Sequence, residues 1–225
     1  MSTDLKIAMA WSGGKDSALA LYLLLEQGLD IAVLMTTLNR QSGRINHHNV
    51  RDELLKQQAA AIGIPLRPLY LSSFPTNEEY SRSMADLMEE FRSEDIHAVA
   101  FGDIFLEDLR LWRENNLKQA GMQALFPLWQ QPTVFLAREF LESGFKARVV
   151  SVDCEQLAAE FVGREYDAAF LDDLPSGVDP CGENGEFHTF VYDGPLYTHP
   201  IAIHNGRQYM DLNRFACVEL NPVSG

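Results

Sequence analysis

At 225 residues, 46% of them hydrophobic and 22% charged, the chain has a soluble globular composition and the length for one large domain or two small ones. Its 32 acidic against 18 basic residues give a formal charge of −14, which argues against a broad basic face for a nucleic-acid backbone. No apolar run reaches the roughly 20 residues of a membrane span, and the three cysteines are isolated, so neither a membrane partner nor a zinc or disulfide framework is expected.

In chain order, Leu5 to Trp11 reads as a buried strand, entered without a basic region, apolar core and cleavage site, so a cytoplasmic protein is expected. Ser12-Gly13-Gly14-Lys15-Asp16-Ser17 follows, and Ala18 to Leu25 continues as an apolar helix. A glycine turn at a helix start aims backbone N–H groups at the positive end of the helix, where an anion is favoured. Gly13 and Gly14 allow close approach of a phosphate, Ser12 and Ser17 add hydroxyls, and Lys15 supplies a point charge. A Walker A loop is excluded, because Met9 stands at its first glycine and Asp16 follows the Gly-Lys pair in place of Ser or Thr.

Ile31 to Thr37 is a second strand, Asn39 to His48 a polar loop, and Asn49 to Ile62 a helix closed by Gly63. Pro65 to Leu71 is a third strand, Ser72 to Thr76 a loop, and Glu78 to Glu94 a long amphipathic helix. Ala98 to Phe101 is a fourth strand, Gly102-Asp103 opens a helix to about Ala120, and Leu125-Phe126 is a short fifth strand. This alternation predicts an α/β fold, a mainly parallel sheet with helices on both faces, whose ligand sits beyond strand C-termini. The Ser12–Ser17 loop and Gly102-Asp103 are both placed there.

Past residue 126 the pattern changes, giving a domain over 1–126 and a smaller α+β domain over 127–225. Its expected elements are a helix over Pro132 to Ser143, a strand over Lys146 to Val152 and a short helix over Cys154 to Val162. Strands follow over Phe187 to Tyr192, Ile201 to Ile203 and Gln208 to Leu220, with a turn at Asn205-Gly206. A dense segment, Gly182-Glu183-Asn184-Gly185-Glu186-Phe187-His188-Thr189-Phe190, carries two carboxylates and an imidazole into the first of these strands. By period two, Glu186 and His188 point outward together if Phe187 and Val191 pack inward. Carboxylates there can hold an ammonium ion, and a histidine can move a proton near neutral pH.

The Ser-Gly-Gly-x-Asp-Ser loop resembles that of the ATP pyrophosphatases, the PP-loop superfamily with an adenine-nucleotide α-hydrolase-like fold. Together with Gly102-Asp103-Ile104, Pro127-Leu128-Trp129, Gly144-Phe145 and the Gly182–Phe190 segment, in that order, nearly the whole chain is similar to the diphthine–ammonia ligase family. The resemblance implies ATP and Mg2+, adenylation of a carboxylate with release of pyrophosphate, and attack by ammonia to form an amide. The acceptor is then a carboxylate on a small molecule or, by family analogy, on elongation factor 2, and a homodimer is implied by analogy alone.

In that frame Ser12, Gly13, Gly14 and Ser17 contact phosphate, with Gly102 beside them. Asp16 caps the helix or serves the magnesium site, Lys15 faces phosphate or solvent, and Met35-Thr36 meet adenine through the backbone. Asp103 caps a helix or contacts magnesium or substrate, while Glu183, Glu186 and His188 handle ammonia or substrate. His47-His48 read as a solvated pair within reach of the cleft, and Trp112 and Trp129 as packing residues. Two departures mark a divergent branch: Phe187-His188-Thr189 replaces the family's Phe-Glu-Thr or Phe-Glu-Ser, and a Tyr-Gln pair is replaced near Asp108-Leu109. A PP-loop tRNA-modifying enzyme and a nucleotide sensor without chemistry remain alternatives. The acidic balance and unpaired cysteines weigh against the first, and the sensor leaves the Glu183–His188 segment without a role.

Overall fold

The apolar run through Ile7, Ala8 and Met9 leaves none of these residues exposed, as expected of a strand covered on both faces. It is the centre of a five-stranded sheet formed by β1 (Lys6–Ala10), β2 (Asp30–Asn39), β3 (Leu66–Leu71), β4 (Ile96–Ala100) and β5 (Gln123–Leu125). All four pairings are parallel and the order is β3-β2-β1-β4-β5, so the direction of winding reverses between β1 and β4. The structure, a computed structural model, describes residues 5–45, 50–73 and 75–223. His47 and His48 lie outside the described residues.

Helices α1 (Lys15–Glu26) and α2 (Asp52–Ile62) cover one face of the sheet, α3 (Asn77–Ser93) and α4 (Glu107–Gln119) the other. Behind α3 and α4, Leu87, Met88, Phe91 and Leu117 pack on Val33, Val99 and Phe101. The helix expected from Gly102 begins only at Glu107. The backbone N–H groups of Ile104 and Phe105 instead donate to the Glu183 carboxylate, 3.0 Å each, so a tertiary partner takes donors that a helix end would present.

The C-terminal half builds an antiparallel sheet, order β7-β6-β9-β8, from β6 (Lys146–Asp153), β7 (Phe187–Asp193), β8 (Ile203–Asp211) and β9 (Phe215–Pro222). Helices α5 (Thr133–Glu142) and α6 (Ala168–Asp173) accompany it, the latter missing from the sequence reading. The helix expected over 154–162 reduces to a 3₁₀ turn at Ala159–Phe161. Asn205-Gly206 is a register shift inside β8, and the hairpin turns at Leu212 and Asn213, both with left-handed backbone, φ 51° and 54°. The apolar cluster on the α1 side runs unbroken from Ile7 and Leu21 to Phe187 and Val218, so the two sheets share one core.

Candidate active site

The loop after β1 is held from below. Gly13 has φ +75°, and a Cβ there would come 2.6 Å from Gln58 Oε1 and 2.8 Å from Leu55 Cδ2, so only glycine fits. Gln58, on the buried side of α2, donates through Nε2 to the Gly13 and Val191 carbonyls, 3.0 and 2.7 Å, and accepts from Trp11 Nε1 at 2.9 Å. Val191 N–H donates to Gly13 O at 2.9 Å, so β7 docks along the loop.

Above this base, Gly14 caps α1 with extended backbone and its N–H donates to Ser12 Oγ at 3.2 Å. The Lys15 N–H donates to Thr189 Oγ1 at 3.0 Å, and the Ser17 hydroxyl to Gly14 O at 2.9 Å. The N–H groups of Asp16 and Ser17 have no carbonyl four residues back inside the helix, which leaves them for an anion at the positive helix end.

Lys15 lines the cleft but is not a free point charge there. It is buried, its ammonium donates to both Asp16 carboxylate oxygens at 2.8 Å and to the Cys181 carbonyl, and it lies 5.6 Å from the Phe187 ring centroid. Burial, the largest single influence, works against its charge, but the Asp16 carboxylate together with Cys181 and Glu183 raises the Lys15 pKa on balance. Burial likewise pushes the neighbouring Cys181 thiol up to about 12, so this cysteine is a packing residue and not a thiolate.

The end of β4 meets α1 with almost no clearance. A Cβ on Gly102 would lie 2.9 Å from the Asp16 carbonyl carbon and 3.1 Å from Ser17 N, so Gly102 lets the two strand-to-helix connections touch at the switch point. Asp103 does not cap a helix; its carboxylate faces Arg113, with Oδ2 2.7 Å from Nε, and burial raises its pKa. Burial also raises the Glu183 pKa, against the opposing effect of the two N–H groups it accepts.

The expected outward pairing of Glu186 with His188 is not found. Glu186 is 2% exposed and accepts from Asp179 N–H, Asn184 N–H and Asn184 Nδ2, at 3.0, 2.9 and 2.9 Å, so it organises its own loop. Residues Thr189, Phe190 and Val191 are all buried because β7 packs on the core and on the Gly13 loop at once, which defeats a two-sided alternation.

The remaining residues surround one cleft of about 730 Å3 beyond β1, β2 and β4. Ser12, Lys15, Asp16 and Ser17 line it from the loop, Met35 and Thr36 from β2, and Gly102 and Asp103 from β4. Glu183 and His188 close it from the C-terminal half. Gly13, Gly14 and Glu186 support the wall from behind and are not part of the lining. Sequence reasoning missed Gln58 and Arg113. A lone amide on the apolar stripe of α2 was the available signal for the first, and a basic residue ten positions after Asp103 for the second.

A reversal of winding between β1 and β4, with an anion-receptive helix end on one side of it and Gly102 on the other, defines an α/β protein with an anion-binding cleft at the switch point of its sheet. The sequence profile described as the diphthamide synthase N-terminal domain matches residues 5–124, and that described as the diphthamide synthase C-terminal domain matches 132–220. The chain belongs to the diphthamide synthase family. Among its relatives are proteins named diphthine–ammonia ligase from Homo sapiens, 26% identical over 88% of this chain and 83% of that protein, and Danio rerio, 28% identical over 85% and 84%. The Schizosaccharomyces pombe protein of the same name is 26% identical, over 97% of this chain but 40% of its own length. The solved U34-tRNA thiolase NcsA from Methanococcus maripaludis overlays with a TM-score of 0.41 at 18% identity, covering 62% of this chain and 58% of that one. Among the described residues no helix is long and apolar enough to cross a membrane.

Proposed function

We propose that the protein is an ATP-dependent, AMP-forming ligase that converts a carboxylate to an amide with ammonia. The observation that carries this reading is the union, in one cleft, of the helix-end loop with Glu183 and His188 of the C-terminal segment. The acceptor carboxylate oxygen attacks the α-phosphorus of ATP, forming an O–P bond as the bond from the α-phosphorus to the bridging oxygen breaks and pyrophosphate leaves. Ammonia then attacks the acyl carbon, AMP departs with the C–O electron pair, and a proton passes to a base.

The N–H groups of Asp16 and Ser17, with the Ser12 hydroxyl, hold phosphate oxygens where negative charge grows on the leaving group. Met35 and Thr36 border the space for adenine. In this reading His188, half-buried on the cleft wall, takes the proton of the attacking ammonia, and the Glu183 carboxylate, which accepts from the Ile104 and Phe105 N–H groups, holds that backbone against the site. Among the described residues no group of three or more His, Cys, Asp or Glu side chains could cage a metal. A magnesium ion brought in with the nucleotide would be held by the partly exposed Asp16 carboxylate, the available protein oxygen at the loop. When bound, the metal supplies charge neutralisation on the phosphates. Family membership supports ATP and ammonia as substrates. The acceptor in this proposal is a carboxylate on a small molecule or on elongation factor 2.

The test follows ATP labelled at its α-phosphate, with magnesium, ammonium and a small-molecule extract, in wild type and Asp16→Ala. Labelled AMP with equimolar pyrophosphate, in the wild type only, is expected. Labelled ADP would exclude cleavage between the α and β phosphates, and ATP bound but intact would point to a sensor.

A further inference from the structure

Beside the nucleotide cleft, between α3 and α4, lies a second cavity of about 490 Å3, within the ordinary range for a small-molecule site. Val99, Phe101, Met88 and Leu117 line its buried side, and Met84 and Trp112 its flanks. The Tyr80 and Trp112 rings, 5.6 Å apart, bridge the two helices. Tyr80, Phe101 and Arg113 line both this cavity and the cleft, so the two spaces share a wall.

That wall contains a cation whose donors are not used up. Arg113 lies over Phe101, 4.2 Å from the ring centroid, and forms an ion pair with Asp103 through one edge of the guanidinium. Its Nη2 donates to Asp103 Oδ1 at 3.3 Å, while Nε, 2.7 Å from Oδ2, is buried without making a hydrogen bond. A guanidinium has five N–H donors in a fork that fits a carboxylate, so Asp103 leaves room for a second one.

Resting on the ligase reading above, we infer that the α3–α4 cavity binds the acceptor, and that the acceptor is a small carboxylic acid with an apolar or aromatic body. The body lies among Met84, Met88 and Trp112, and Arg113 receives the carboxylate at the shared wall and directs it toward the nucleotide. A polar acid such as glutamate is disfavoured, because its ammonium group would lose water against Met84 and Met88, while Glu89, the carboxylate of the lining, stands at the exposed rim.

The full chain is titrated calorimetrically with 4-phenylbutyrate, its neutral amide and glutamate, with and without α,β-methylene-ATP. The expected result is that 4-phenylbutyrate binds in both conditions, at least tenfold tighter than the amide or glutamate. Arg113→Gln should remove the preference for acid over amide. Met84→Trp and, independently, Ala85→Phe should weaken 4-phenylbutyrate at least tenfold while the nucleotide analogue stays within twofold, which also shows that the variants are folded. Competition between the acid and the nucleotide, equal affinity for acid and amide, unchanged binding in both filled variants, or no binding of any probe would each overturn the assignment. AMP formation from ATP in the same samples reports separately on the ligase reading: its failure alongside acid-selective binding removes the reaction and leaves the site.

Discussion

Gln58→Leu removes the amide under the Gly13 loop with little change of volume, and the structure says which lost bond matters. The Gly13 carbonyl keeps the Val191 N–H at 2.9 Å, and the Val191 carbonyl keeps the Tyr197 hydroxyl at 3.3 Å, so neither acceptor is stranded. Trp11 Nε1 is different: Gln58 Oε1 is its hydrogen-bond partner, at 2.9 Å, and Trp11 is 2% exposed. Two net hydrogen bonds near 1 kcal/mol each and one stranded donor together set a destabilisation of about 3–4 kcal/mol. Urea unfolding followed by circular dichroism reads the total. A double-mutant cycle with Trp11→Phe isolates the donor, because the phenyl ring has no N–H to strand. In that background the cost of Gln58→Leu should fall by about 1–2 kcal/mol. Equal costs in both backgrounds would refute the assignment of the penalty to Trp11, and a total below about 1 kcal/mol would refute the buried-amide argument altogether.

Gly102→Ala forces a methyl group against the Asp16 and Ser17 backbone, where nothing at the far end of a side chain can give way, so a cost of about 1–3 kcal/mol is expected. ATP affinity by calorimetry should fall with it, and an unchanged affinity would mean that the two loops do not need to touch. The Arg214 guanidinium, with Gln156 and the Glu155 N–H, holds the Asp153 carboxyl down at about 2, against about 3.9 when unfolded. Its contribution to stability is therefore complete above that unfolded value and is lost as pH falls through the folded one. Urea midpoints between pH 5 and 2 should drop less steeply in Asp153→Asn, and parallel curves would count against the pair. Of the three cysteines, exposed Cys154 should react rapidly with a disulfide reagent at pH 8, buried Cys181 and Cys217 only after urea is added. Fast labelling of Cys181 in the folded protein would contradict its burial and raised pKa.

The parallel sheet was legible because its central strands β1, β2 and β4 are apolar runs and helices such as α2 and α3 carry their own periodicity, signals confined to ten or so neighbouring residues. The helix-end loop was legible for the same reason, since Gly13, Gly14 and the start of α1 are contiguous. The second half was harder: the 154–162 segment looks helical but forms one 3₁₀ turn, and an Asn-Gly pair that favours a hairpin turn became a bulge. What tertiary structure alone decided are side-chain destinations set by partners far away in sequence. Lys15 turns inward because the Cys181 carbonyl and the Phe187 ring are there, Glu186 is enclosed by Asp179 and Asn184, and Arg113 reaches the cleft because Asp103 meets it. A local pattern reports which face of an element is apolar; it carries no information about which distant donor or charge will stand opposite a polar side chain, and that pairing is what makes the cleft.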